Sequence, residues 1–171
     1  MAMPLPFRYP RPVRWIHWLS VVLVIIAYAT AESAEDPRSS GGQWHILAGL
    51  ALLLVFVPRL LARFAANRAP VLTSPFATWS ARLVQVALLL FLVVQPLLGV
   101  LMVWAEGEVL PVPLTGWQLR PLFVLGEAWS ETLEDLHETV GNVFYAVIAL
   151  HSLAALWHQF VRRDDVLRRM W

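Results

Sequence analysis

The sequence has no cysteine and no lysine, and charged residues make up only 15% of its 171 positions. Without thiols the chain can form no disulfide, Cys-ligated zinc site, iron–sulfur cluster or thioether-attached c-type haem. Any redox group must be held by other side chains. Also missing are a Gly-rich phosphate loop, a Gly-x-Ser-x-Gly elbow and a polar segment long enough for a nucleotide-binding domain. Repeats and low-complexity tracts are absent, and no nucleic-acid partner is expected.

What the chain has in excess is hydrocarbon. It is 58% apolar with a positive mean hydropathy, more than the polar surface of a water-soluble domain of this size could cover. Four stretches approach or exceed the roughly 17 to 25 residues that cross a hydrocarbon core about 30 Å thick. They run approximately over Trp15–Ala31, Trp44–Phe64, Arg82–Trp104 and Leu136–Val161. The expected fold is therefore all-α, a four-helix transmembrane bundle forming one membrane domain over residues 1–171. Arg8 to Arg14, an apolar stretch and Ala29-Thr30-Ala31 also resemble a cleaved signal peptide. A signal segment has no need of His17 between Trp15 and Trp18, so the first stretch is read as a span.

The charges are distributed unevenly. All thirteen basic residues are Arg, and eleven fall before the first span, around the middle connection or after the fourth. Only Arg38 and Arg120 lie on the other side, so the positive-inside rule makes both termini and the middle connection cytoplasmic. Ten of the twelve acidic residues sit in or beside the two outward connections; Asp164 and Asp165 are the exceptions. The formal charge is then 2 minus 10, about −8, outside and 11 minus 2, about +9, inside. The connection from Ala105 to Asp135, broken by Pro111, Pro113, Gly116, Pro121 and Gly126, is expected to cap the outer face. A short amphipathic helix within Trp129–Leu136, started by Ser130, is expected there.

Five histidines, His17, His45, His137, His151 and His158, all fall inside or at the edge of a span. Any one of them alone reads as a neutral interfacial imidazole bonded to a carbonyl, but ionisable residues at membrane depth are costly and several together point to function. His137 and His151 are fourteen residues apart, about 40° short of four full turns and about 21 Å along a helix axis. They share one face, one near each side of the hydrocarbon, a spacing that suits two stacked haems. Matching depths pair His45 with His137 outside and His17 with His151 inside.

Gly49 and Gly141 each follow a histidine by one turn, leaving room for a flat macrocycle or for close helix packing. Phe144, Ile148 and Ala155 continue the same face of the fourth span. His158, seven residues after His151, is the rival inner ligand. It would lie about 31 Å from His137, so an interfacial role at a quinone or proton-uptake site suits it better. Trp15, Trp18, Trp157, His158 and Arg162 are candidates for that site, although an aromatic belt with snorkelling Arg shows the same residues. Two imidazoles per iron leave no open coordination position, which favours outer-sphere electron transfer. Tetrahedral zinc, the competing metal, needs three or four converging ligands, and two separated pairs do not supply them.

With these residues placed, the chain resembles the bacterial cytochrome b561 family of four-helix dihaem membrane cytochromes. The resemblance rests on Arg14-Trp15-Ile16-His17-Trp18, Trp44-His45-Ile46-Leu47-Ala48-Gly49, Gln95-Pro96-Leu97-Leu98-Gly99, His137-Glu138-Thr139 and Ala149-Leu150-His151. It implies two b haems ligated by His17, His45, His137 and His151, electron transport with ubiquinone as acceptor, and a multi-pass place in a bacterial inner membrane. It also implies an oxidoreductase reaction, superoxide:quinone transfer, as one possible activity. Some relatives carry a further His in the third helix, where this chain has Gln85. The acidic outer face departs from what an anionic donor such as superoxide would favour and suits a cationic or neutral donor. Two other readings stay open: a haem-bearing anchor subunit for a periplasmic enzyme, and a transporter with a histidine proton relay.

Overall fold

A computed structural model describes residues 8–65, 74–164 and 166–171. Arg68 and Asp165, both counted in the charge asymmetry above, lie outside the described residues. Four long helices dominate: α1 (Arg11–Ala29), α2 (Ser40–Ala65), α3 (Pro75–Glu106) and α4 (Glu127–Trp157). All four are long and apolar enough to cross a membrane, the last when extended through Arg162. Their flanks carry large exposed side chains such as Leu54, Phe64 and Phe76, as a helix in contact with lipid would.

Local chemistry sets the ends. α1 opens with proline, whose missing N–H costs nothing in a first turn, and closes where the Thr30 amide and hydroxyl both donate to the Ile26 carbonyl. The Ser74 hydroxyl caps α3 by accepting from the Ala77 amide. Gly107, at φ 91°, ends α3 in the left-handed conformation that a side chain disfavours. The amides of Leu125 and Gly126 both donate to the carbonyl of fully buried Ala105, fastening the start of α4 to the end of α3.

Two boundaries differ from expectation. α3 starts at Pro75 instead of Arg82, and α4 starts at Glu127 instead of Leu136. Hydropathy marks where a helix enters the bilayer, and both helices begin earlier, in the polar zone. The separate helix expected over Trp129–Leu136 is the first part of α4, because neither Gly nor Pro interrupts the chain before His137. Ser130 is not its cap; its buried hydroxyl donates to the Met102 carbonyl of α3. The outer connection holds a two-stranded hairpin, β1 (Leu110–Val112) paired antiparallel with β2 (Trp117–Leu119), which the proline-rich sequence did not suggest.

α1 packs on α2, α3 packs on α4, and α2 joins the pairs through α3, while the α1 and α4 backbones approach each other little. The even number of crossings brings the chain ends together. Tyr9 donates its amide to the Arg169 carbonyl, and Trp18 donates its indole N–H to the Met170 carbonyl at 2.9 Å. The start of α1 and the C-terminal residues therefore share the Arg-rich face.

Candidate functional site

Each helix delivers one or more of the chemistry-bearing side chains to the interior. The rings of His45 on α2 and His137 on α4 face each other with centroids 6.1 Å apart and planes at 68°. His45 Nδ1 lies 2.9 Å from the Ala27 carbonyl, and His137 Nδ1 lies 3.1 Å from the Gln95 carbonyl. A carbonyl only accepts, so in both rings Nδ1 carries the proton and Nε2 keeps its lone pair. Ala27 sits in the last turn of α1, where carbonyls have no partner within the helix, so the end of α1 orients His45.

Gln95 holds His137 at two points, since its amide Nε2 also donates to the His137 carbonyl at 2.8 Å. Gly99, one turn later on α3, makes the space for the ring: a Cβ there would stand 3.3 Å from His137 Cε1. Sequence reasoning had Gln95 and Gly99 only as parts of a motif, without roles. Gly49 and Gly141 both face α3 instead of open space. A Cβ on Gly49 would meet Pro96, one on Gly141 would come 3.2 Å from Gln95 Nε2, and the Gly141 carbonyl accepts from the Tyr28 hydroxyl. Both glycines thus lie where α3 approaches the helices that carry His45 and His137.

At the Arg-rich end His17 lies within electrostatic reach of His151 and Arg59. The Arg59 guanidinium donates to His17 Nδ1 at 3.2 Å and to the hydroxyl of buried Ser20 at 3.0 Å. His151 stands fourteen residues beyond His137 on the unbroken α4, so the two levels are about 21 Å apart along that axis. Between them an aromatic layer crosses the bundle: Phe91 stacks on Phe144 at 4.3 Å, and Tyr28 contacts both Phe91 and Tyr145. Phe144 thus belongs to this layer.

His158 is placed apart from these pairs. It opens a single π-helical turn, His158–Arg162, that ends α4, and its Nδ1 lies 2.6 Å from Asp164 Oδ2. Partial burial works to raise the Asp164 pKa, but the bond to His158 and the charges of His158 and Arg162 outweigh it and hold the carboxyl below its usual range. Sequence reasoning missed Asp164, because the π turn is what brings a residue six positions away onto His158. Among the described residues no three His, Cys, Asp or Glu side chains converge, so the zinc reading finds no site there. On the opposite face Arg38 lines a shallow pocket with hairpin residues 111–118, whereas exposed Arg120 is not in its wall.

Residues 8–171 match the family described as prokaryotic cytochrome b561. The chain belongs to that family. Cytochrome b561 homolog 1 of Escherichia coli (strain K12) is 26% identical over 95% of this chain and 96% of its own length. A protein of Yersinia pestis named probable superoxide oxidase CybB is 28% identical over 91% of this chain and 90% of its own. Cytochrome b562 of Cereibacter sphaeroides is 27% identical over 95% and 94%. This cytochrome b561 is accordingly a multi-pass haem protein of a bacterial inner membrane, and its four-helix bundle is the one expected from hydropathy.

The outer histidine pair offers the two-imidazole donor set that a haem iron takes. Metal–imidazole bonds are about 2 Å long, so two imidazoles on one iron would have centroids about 6 Å apart, close to the 6.1 Å of the outer pair. Ligand histidines usually donate the other ring N–H to a carbonyl or carboxylate, as both do here.

Proposed function

We propose that this cytochrome b561 holds two b haems, one between His45 and His137 and one between His17 and His151, and carries electrons from an outer donor to quinone at the Arg-rich face. The observation that carries the reading is the facing pair His45 and His137, each locked by Nδ1 on a backbone carbonyl with Nε2 left for iron. When bound, each haem would be held by one of these imidazole pairs and would supply a ferric/ferrous couple, which suits electron transfer without substrate ligation. The chain does the rest. Ala27 and Gln95 fix the outer rings, Gly49, Gly99 and Gly141 bring α3 close to the ligand helices, and Phe91 and Phe144 exclude water between the levels.

Charge placement sets the direction. The positive-inside rule puts the Arg-rich face and both termini in the cytoplasm and the acidic connections in the periplasm. Quinone reduction needs two electrons and two protons, and the His158–Asp164 pair lies at the cytoplasmic end of α4, where it can pass protons from water. The name of the Yersinia relative makes superoxide the donor to test. Two superoxide ions would give two O2 and the two electrons that quinone takes up. Membrane-anchor and transporter roles remain the alternative classes; a co-purifying second polypeptide would favour the first and a colourless preparation the second.

Superoxide is an anion that crosses bilayers poorly, so sidedness and donor can be tested together. Generated outside right-side-out vesicles, it should reduce the haem and then quinone; generated outside inverted vesicles, it should not. The outward formal charge of about −8 should repel it, so the rate should rise with salt as the Debye length falls below about 10 Å. If Arg38 gathers the anion locally, Arg38→Glu should slow reduction severalfold. Fast reduction from the cytoplasmic side, or a rate that falls with salt and ignores Arg38→Glu, would contradict this reading.

Gly99 offers a test of the outer site that does not remove a ligand. Alanine there favours the helix by about 1 kcal/mol but forces the His137 ring to shift by a few tenths of an ångström. Gly99→Ala should keep its helix content and thermal stability while binding the outer haem roughly tenfold more weakly, as expected for a ligand's supporting contact. Unchanged affinity for both haems would show that the tight approach of Gly99 to His137 has no consequence.

A further inference from the structure

Arg59 is a cation inside a transmembrane helix, and none of the sequence features above gave it a task. It lies fourteen residues beyond His45 on α2, the same separation that joins His137 to His151 on α4. On a continuous helix this puts Arg59 on nearly the face of His45 and about 21 Å deeper, at the level of His17 and His151. Its guanidinium does not turn away to the headgroups. It turns inward to the Ser20 hydroxyl and His17 Nδ1, both neutral acceptors. Among the described residues the ion pairs are His158–Asp164 and Arg162–Asp164, and no carboxylate pairs with Arg59. A charge at membrane depth without a counter-ion is costly, and native chains place one there only for a partner.

The contact with His17 sharpens the point. A guanidinium has donors only, so Arg59 makes Nδ1 of His17 an acceptor and leaves the proton on Nε2. A histidine that binds iron through Nε2 has the reverse arrangement, with Nδ1 free to donate. When His17 serves as a ligand, Arg59 must therefore release it and find another acceptor at that depth. The protein supplies none that is anionic among the described residues. A b haem brings two carboxylates on flexible arms.

We propose that Arg59 is the counter-ion of a carboxylate of the inner haem, anchoring that haem by a charge-assisted, fork-shaped contact while His17 and His151 hold the iron. The inference rests on the two-haem reading given above. It explains why an arginine, and not an apolar residue, lines α2 at this level. It also accounts for a difference between the levels: His17 Nδ1 meets a side-chain cation, whereas His45 and His137 meet backbone carbonyls. At the outer level His45 occupies the equivalent place on α2, and the backbone alone orients the ring.

The test uses the full-length chain, inserted into membranes under haem starvation and then titrated with haem b or with its dimethyl ester, whose arms carry no charge. Loading of the two sites is followed by their separate absorption components, with His137→Ala and His151→Ala as markers. The ester should fill the inner site of the wild type roughly tenfold or more weakly than haem b does, with a smaller change at the outer site. Arg59→Gln should impose the same weakening on haem b and add little with the ester, and Arg59→Lys should recover part of the loss.

Equal inner-site binding of haem b and ester by the wild type would overturn the proposal. So would an Arg59→Gln variant that weakens both forms alike, since that loss would come through His17 or the fold. If Arg59→Gln fails to insert, the wild-type comparison still decides the matter. A wild type that takes up a single haem, lost in His137→Ala, would overturn the two-haem reading itself. That result is distinct from failure of the Arg59 proposal alone, in which two haems bind and the ester binds as well as haem b.

Discussion

His137→Ala should lose the outer haem, about half of the total, and with it nearly all reduction by donors added from the periplasmic side. The remaining haem should still be reduced by dithionite, which does not depend on the outer entry point. The loss should be complete because nothing stands in for the ligand. Among the described residues no other histidine has a ring contact with His45, and the Gln95 amide is held to the His137 backbone. Helix content should be preserved, since α4 is continuous from Glu127 to Trp157 and alanine is the strongest helix former. Retention of both haems in His137→Ala, measured by pyridine haemochrome, would exclude it as a ligand.

The second large effect separates the two candidates for the inner ligand on α4. His151→Ala should leave one haem per chain, with outer-face reduction intact but no onward transfer to quinone. His158→Ala should keep both haems and lose quinone reduction, most visibly at high pH where protons are scarce. Asp164→Asn should resemble it, because the carboxylate that pairs with His158 is then gone. The reasons are positional: His151 lies on α4 fourteen residues from His137, whereas His158 is committed to Asp164 in a π turn at the membrane edge. One haem in His158→Ala and two in His151→Ala would reverse the assignment.

Much of this was legible in the sequence because two periodicities carry it. Runs of apolar residues longer than a bilayer give four helices whatever their packing, and a fourteen-residue interval puts His137 and His151 on one face whatever surrounds them. What escaped had no such signature. The hairpin has strands of three residues with Pro111 inside one, below any pattern of alternation. The early starts of α3 and α4 lie in polar segments where hydropathy is silent. Ser130 looked like a cap from its place before Glu131 and Glu134, but it is spent on the Met102 carbonyl.

The glycines show a different limit. Gly49 and Gly141 were noticed through their spacing from histidines, yet both meet α3, a helix whose position the spacing says nothing about. Gly99, which does approach the His137 ring, follows no histidine at that spacing in the sequence. Arg59 was grouped with the interfacial arginines by the charge count, although its interval from His45 repeats that of His137 and His151. Counting intervals for every ionisable residue, and not for histidine alone, would have found it. Asp164 could not have been found that way, since only the π turn carries it to His158.

The claim that two imidazole pairs each hold one haem is tested most directly by the iron of the purified wild type. Pyridine haemochrome should give two b haems per chain, and the ferric protein should show only low-spin signals in electron paramagnetic resonance, because each iron would be held by two imidazoles. One haem per chain, or a high-spin signal from an iron with an open position, would contradict the account.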